Sequence, residues 1–405
     1  MYQLSNEQLS LQARARELAE DAFRDTAQSI DESECYPWDN VKKLCEAGLM
    51  GMTIPKEYGG LGLGYLDVVL VIEQMARVCA TMGRISVEAN MGAIGAIMAY
   101  GSDEQKKRVA PLVLSGDKPA ICITEPGAGS AATEMTTIAE KKGEHYVLNG
   151  TKYWITGGGV SRVHLIFAKV IESGEMRGIG GFIFVRGEDD QGFVVGKREP
   201  AMGVRGIPET YLHFNDLLIP QSMLVIPPQG LRRGFAGLMS AYNAQRVGAG
   251  TVALGIAQGA YETALDYAKK REQFGRPIAE FQGLQWMVAD MAVALAASQA
   301  LLYKAAGNAG NGFPDMNEAA QAKIFAGETA IKVTNDALQF HGSMGYSRNL
   351  PLERRVRDAR MFTIAGGTAQ ILRTQVASNE LGMKLPQTRD GFAKLKGHSD
   401  GNAST

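Results

Sequence analysis

Cysteine is scarce in this sequence: Cys35, Cys45, Cys79 and Cys122 are the four in 405 residues. They lie far apart with no C-x-x-C spacing, and the five histidines are scattered, so no zinc pattern exists and no metal site is expected. An excess of one charge is missing too. The 42 Lys and Arg stand against 43 Asp and Glu, for a net charge of −1. Nothing therefore draws a phosphate backbone in bulk, and no nucleic-acid partner is expected. No uninterrupted apolar run reaches the length of a membrane span, and the opening MYQLSNEQLS is too polar for a signal peptide. The expectation is a cytoplasmic protein with no membrane partner.

Glycine is in surplus, at 48 of 405 residues. That is roughly 12%, against a typical value of about 7%. No Gly-X-Y period accompanies it, so collagen is excluded and each glycine must be read locally. Apolar residues at 45% and charged residues at 21% are ordinary for a globular chain. The length suits about two to three domains.

The chain divides into three blocks and a tail. Residues 1–118 read as helices. Ser5 with Gln8 and Ser102 with Gln105 are capping-box starts, and Leu11, Ala15, Leu18 and Ala22 share one helical face. Residues 119–230 read as short strands in series, without intervening helices, which indicates antiparallel β structure. Asn149-Gly150, between two apolar runs, predicts a hairpin turn there. Residues 231–383 return to long helices, rich in Ala and Gly, with the last starting near residue 352. Residues 384–405 form a polar tail, expected to be mobile. The fold class is α+β.

Several Gly-containing segments carry polar groups suited to a ligand. In ITEPGAGSA (123–131), Gly127 and Gly129 let the backbone turn while Thr124, Ser130 and nearby amides donate. This is no dinucleotide fingerprint, since G-x-G-x-x-G is missing. In KYWITGGG, alternation puts Trp154 and Thr156 on one strand face, a flat ring beside a hydroxyl. In KKREQFGRPIAEFQGLQ, Arg271, Gln273, Phe274, Gln282 and Gln285 flank a helix break at 275–277, where an Arg can reach a pyrophosphate. QFHGSMGY and IAGGTAQILR are further breaks of this kind. Taken singly, each is equally a surface turn, a core aromatic or a helix–helix connection.

Taken in order they are more specific. CITEPGAGS, LNGTKYWITGGG, KREQFGRPI with FQGLQWMVADM, ALQFHGSMGY and RDARMFTIAGGTAQILR resemble the acyl-CoA dehydrogenases along the chain to about residue 383. The resemblance implies that family's fold: an N-terminal helical domain, a middle antiparallel β domain and a C-terminal four-helix bundle. It also implies FAD, an acyl-CoA ligand and a homotetramer. By position, Ile123, Thr124, Gly129 and Ser130 would meet the flavin and ribityl-phosphate region. Trp154 and Thr156 would lie against the flavin, Thr156 near N5. Arg271, Phe274 and Gln282 would bind the FAD of a neighbouring subunit. Gln339 would do so towards the adenine end, with Ser343 where the family usually has Gly. Thr368 and Gln370 would touch the adenosine diphosphate part. Arg246 would lie near the catalytic centre and the thioester, with Asn243 and Ser130 also on the substrate.

The chain departs from the family where the chemistry happens. Dehydrogenation needs a carboxylate to take the α-proton. In most members it is the Glu of Y-E-G-T, which here reads Ala365-Gly366-Gly367-Thr368. In another branch it precedes an Arg on an earlier helix, where this chain has Gln245-Arg246. A Gln side chain hydrogen-bonds but is no base. Arg84, in ATMGRISVEANMG, falls at the bottom of the acyl pocket by this resemblance. A guanidinium is costly against a hydrocarbon tail and well used against a short acyl chain ending in an anion. A branch of the family with such features releases sulfite from an acyl-CoA bearing a sulfinate on its β-carbon. On that reading Arg84 and Gln245 are catalytic, Arg84, Ser130, Asn243, Gln245 and Arg246 bind a short anionic acyl-CoA, and FAD is retained. Three alternatives stay open. Arg84 forms only an i,i+4 ion pair with Glu88. A short-chain or dicarboxylic acyl-CoA dehydrogenase uses another base, Glu88 being the nearest named. Or the chain is a flavin-binding scaffold without activity.

Overall fold

The computed structural model describes residues 3–387, so nearly all of the expected polar tail lies outside the described residues. Ser5 caps the first helix as predicted: its hydroxyl accepts from the Gln8 amide at 3.2 Å, while the Gln8 side chain accepts from the Ser5 amide at 3.1 Å. Helix α1 (Asn6–Phe23) buries Leu11, Ala15, Ala19 and Phe23. The predicted stripe is thus centred slightly differently, with Leu18 and Ala22 half-buried at its edge. Helices α2 (Thr26–Ser33), α3 (Trp38–Glu46), α4 (Tyr65–Val78), α5 (Ala80–Asn90), α6 (Ala93–Tyr100) and α7 (Asp103–Leu114) complete this part. The second capping box, Ser102 with Gln105, opens α7. Every residue of α5 is buried, as befits a helix packed on several sides.

Strands follow: β1 (Ala120–Cys122), β2 (Ile138–Lys142), β3 (His145–Thr156), β4 (Val163–Glu172), β5 (Glu175–Val185), β6 (Phe193–Glu199), β7 (Glu209–Pro220) and β8 (Leu224–Val225). Among the described residues they form one sheet in the order β6-β7-β3-β2-β4-β5-β8, with β1 beside β4. Antiparallel pairs dominate as expected, and β4 additionally pairs parallel with β1 and β2. The hairpin expected at Asn149-Gly150 does not form. Strand β3 runs straight through, with a register shift between Leu148 and Gly150. The glycine serves a close approach instead: at φ 152°, a Cβ on Gly150 would lie 2.8 Å from Thr137 Cα. The side chain of Asn149 pairs with Asp216 on β7.

The rest is helical apart from a short antiparallel ribbon, Glu272–Gln273 with Arg276–Pro277: α8 (Gly234–Lys270), α9 (Gln282–Gly307), α10 (Met316–Phe340), α11 (Ser343–Tyr346), α12 (Leu352–Arg360) and α13 (Ala369–Glu380). The 37-residue α8 packs against α4, α5, α9 and α10. Its small residues permit this: a Cβ on Gly259 would meet Arg77 O at 2.1 Å, and one on Gly255 would meet Glu73 O at 2.6 Å. The helix predicted from residue 352 is in fact two, α12 and α13. The break between them carries Gly366 at φ 76° and Gly367 at φ 93°. Helix α9 is long and apolar enough by composition to cross a membrane, a candidate the search for uninterrupted runs passed over. It leaves Trp286 and Val293 exposed.

Candidate active site

The ITEPGAGSA loop leaves β1 and is pinned by one buried ion pair. Lys152 on β3 reaches Glu125 Oε1 at 2.8 Å and the Ile123 carbonyl at 3.0 Å. Glu125 also accepts from the Thr137 amide at 3.0 Å and the Thr136 hydroxyl at 2.8 Å. Burial pushes this carboxyl up, but the Lys152 and Thr136–Thr137 bonds outweigh it and bring it down to about 2. Gly127 does sit in a sharp turn, closed by the Ala128 amide on the Glu125 carbonyl at 3.1 Å, but neither it nor Gly129 takes a positive φ, and added side chains there would enter open space. They clear a surface beside Thr124 and the exposed Ser130, with Ile123 buried beneath.

Trp154 and Thr156 adjoin that surface. An extra residue between Lys152 and Ile155 shifts the register with β7 and puts Trp154 at φ 54°. Lys152 and Ile155 therefore both point inward, and Trp154 is left 46% exposed. An open ring, two hydroxyls and bare backbone fit the flat isoalloxazine and ribityl chain of a flavin.

At the other end of Thr156 lies a buried cluster of charges. The Arg84–Glu88 pair does form, with Nη2 to Oε1 at 2.8 Å and each side chain only 5% exposed. It is not a surface pair, and it does not exhaust the arginine, whose Nε is buried without a partner. The second Glu88 oxygen accepts from Lys118, whose ammonium also donates to the Thr156 carbonyl at 3.1 Å. The Thr156 hydroxyl donates to both oxygens of Glu209, at 2.9 and 3.0 Å. Burial pushes Glu209 up to about 8; Arg84, Lys118 and the Thr156 bond oppose this, while Glu88 adds to it. Tyr242, on α8, completes the group, its hydroxyl pushed up by burial.

The two positions where the resemblance looks for a base hold none. Gln245 fills the space a Cβ on Gly92 would need, 1.8 Å from its Oε1. Gly366 faces open space, with nothing within 4 Å of an added Cβ. Arg246 holds the Gly366 carbonyl through Nε at 3.2 Å and the Asn243 oxygen through Nη1 at 2.7 Å. Lys323, fully buried on α10, holds the Gly367 carbonyl at 2.6 Å. Burial, then Arg246 and Arg84, push this lysine down to about 7. Asn243 gives its other end to the Pro314 carbonyl at 3.2 Å. Its amide thus supports Arg246, with one N–H and one lone pair still unused.

Other predicted residues lie outward, on different elements. Arg271 ends α8, and Phe274 and Gly275, both at positive φ, make the tight turn that breaks the helix. Gln282, Gln339, Ser343 and Gln370 are exposed at the ends of α9, α10, α11 and α13. Thr368 caps α13 by accepting from the Ile371 amide at 3.2 Å, a structural duty the sequence reading did not assign. Lys118, Glu209 and Lys323 were missed altogether. A cleft of about 550 Å³ lined by Arg24, Gln28, Arg348, Arg354 and Arg355 shares no residue with this site.

Chemically, the site gathers cations around Glu88, which is bound to two of them, has no carboxylate at positions 245 and 366, and holds Glu209 and Lys323, which burial brings to about 8 and about 7.

Family models for the N-terminal, middle and C-terminal domains of acyl-CoA dehydrogenases match residues 5–117, 120–217 and 232–381. A protein of Variovorax paradoxus named 3-sulfinopropanoyl-CoA desulfinase is 68% identical over 397 residues, 98% of this chain and 99% of that one. One of the same name from Cupriavidus necator is 68% identical over 393 residues, 97% of this chain and 99% of that one. The structure of butyryl-CoA dehydrogenase from Megasphaera elsdenii is 31% identical with a TM-score of 0.88, covering 94% of this chain and 100% of that one.

Proposed function

The chain belongs to the acyl-CoA dehydrogenase family, and we propose that it is a desulfinase, releasing sulfite from 3-sulfinopropionyl-CoA. Water is the second substrate and propionyl-CoA the second product. The C–S bond breaks, carbon gains hydrogen and sulfur gains oxygen from water, and no external acceptor takes electrons. The observation that carries this reading is Arg84: a buried cation with an unpartnered Nε, in a chain with no carboxylate at either position 245 or 366. Relatives 62–68% identical bear the desulfinase name.

Arg84 holds the sulfinate through two parallel hydrogen bonds, which a planar fork makes and a point charge does not. Gln245 and Arg246 orient the thioester or the water. Thr156 and Ser130 shape the pocket. Absence of a base at 245 and 366 suppresses the competing α,β-oxidation. FAD, when bound, supplies an electron-accepting isoalloxazine ring. Ile123, Thr124, Gly129, Ser130, Trp154 and Thr156 hold it in one subunit, while Arg271, Phe274, Gln282, Gln339, Ser343, Thr368 and Gln370 reach the FAD of a neighbour. The exposure of Phe274, at 93%, and the apolar face of α9 support a homotetramer. The protein works in the cytoplasm on an acyl-CoA without nucleic acid, membrane or metal.

The test is a pair of assays on the flavin-loaded protein. Sulfite is measured from 3-sulfinopropionyl-CoA without an acceptor, and dye reduction from butyryl-CoA and glutaryl-CoA. Sulfite without dye reduction is expected. Dye reduction without sulfite would overturn the reading.

A further inference from the structure

An arginine already paired with a glutamate is a poor receptor for an anion. The pair is neutral, and a buried neutral pair offers little attraction to repay the desolvation of an incoming charge. Arg84 is so paired, yet the reading above, on which this inference rests, asks it to bind an acyl anion. Lys118 resolves the difficulty. Its side chain is 1% exposed, and its ammonium takes the Glu88 oxygen that Arg84 leaves free. Each oxygen of Glu88 then faces one cation, and the three groups together carry a single positive charge.

The fold gives up packing to admit this lysine. Gly157, at φ 76°, follows Thr156, and a Cβ there would lie 2.0 Å from Lys118 Nζ. A fully buried ammonium costs desolvation that an apolar side chain would avoid. Glu88 is the carboxylate that bonds it: the adjacent Asp117 instead accepts from the Arg162 and Val163 amides, at 2.8 and 2.9 Å. Thr156 offers only a carbonyl, at 3.1 Å. Arg84 keeps a buried Nε with no hydrogen-bond partner, unused donor capacity in its fork.

We propose that Lys118 is a positioning residue that sets the charge selectivity of the acyl pocket: by engaging Glu88 it leaves Arg84 as an uncompensated cation, so that acyl-CoA ending in an anion is preferred to neutral acyl-CoA of similar length. Lys118 touches no substrate on this account. It acts through Glu88 and Arg84.

The test measures binding rather than turnover, by calorimetry on the flavin-loaded protein. Succinyl-CoA is the anionic probe and propionyl-CoA the neutral one. Lys118→Met is expected to lose about 10-fold or more of the preference for succinyl-CoA, with propionyl-CoA binding little changed. The double variant Lys118→Met/Glu88→Gln removes one charge of each sign and is expected to regain most of it. A lysine that merely supports the fold predicts the opposite, a double variant no better than the single. That result, or an unchanged preference in Lys118→Met, overturns the proposal. If the single variant does not fold, the double variant decides alone: retained preference supports the proposal and lost preference overturns it. Arg84→Met separates this inference from its premise. If it keeps the preference, the arginine reading fails. If it loses the preference while Lys118→Met keeps it, that reading stands and Lys118 falls.

Discussion

Two buried lysine–glutamate pairs flank the same stretch of β3, and they differ in one unit of charge. Lys152 and Glu125 form a closed pair: the carboxylate accepts from Lys152, Thr136 and Thr137, and the ammonium bonds Glu125 and the Ile123 carbonyl. Lys118 and Glu88 form the same kind of pair with Arg84 added, which leaves a net positive charge and an unpartnered Nε. The first is saturated and neutral, and fastens a loop. The second is cationic and keeps an unpartnered donor, the capacity that the proposed anion binding would use. Burial and residue type are alike in both, so what separates scaffold from site is the charge sum and the remaining hydrogen-bonding capacity.

Substitutions should break this likeness in different ways. Lys152→Met strands Glu125 without its cation, and removing one partner of a buried pair typically costs about 3–5 kcal/mol. A large fall in stability and flavin retention is expected, read by denaturant titration and flavin absorbance, with acyl-anion preference kept in the protein that remains folded. Arg84→Lys should do the reverse. Sulfite release should drop by about 100-fold because the fork is lost, while the melting temperature moves little.

Gly366→Glu places a carboxylate in open space beside Arg246. Sulfite release should fall roughly 10-fold, and dye reduction with butyryl-CoA should appear where there was none. Some stability is lost as well, since φ is 76° there.

The two remaining carboxyls differ by pH. Glu125 is depressed when folded, from 4.5 to about 2. Its contribution is complete above pH about 4.5 and is lost as pH falls towards 2, which acid titration of stability should show. Glu209 is raised when folded, from 4.5 to about 8, so its ionisation adds a negative charge beside Arg84, Glu88, Lys118, Thr156 and Tyr242 at alkaline pH. The KM for the anionic substrate should rise a few-fold above pH about 8, and Glu209→Gln should flatten that rise.

Much of this site was legible in the sequence where its parts are contiguous. The capping residues Ser5 and Ser102 act within one helical turn. Gly366 is a vacancy inside an unbroken motif. Arg84 and Glu88 are four residues apart on one helix. Lys118, Glu209 and Lys323 were not legible, because their partners lie 30, 53 and 44 residues away in the chain. A lysine bound for the interior looks like a surface lysine until the fold supplies its partner. Asn149-Gly150 misled for a related reason. Turns and tight strand crossings both demand glycine, and only the position of Thr137 on a neighbouring segment tells them apart.

The central claim is that a member of this family with no carboxylate at positions 245 and 366, and a cationic cluster around Arg84, releases sulfite without net electron transfer. The most direct measurement is product stoichiometry over many turnovers of 3-sulfinopropionyl-CoA, with full flavin occupancy, no oxygen and no added acceptor. Equal amounts of sulfite and propionyl-CoA, with the flavin oxidised at the end, are predicted. A reaction that stops after one equivalent of reduced flavin, or an unsaturated acyl-CoA as product, would contradict it.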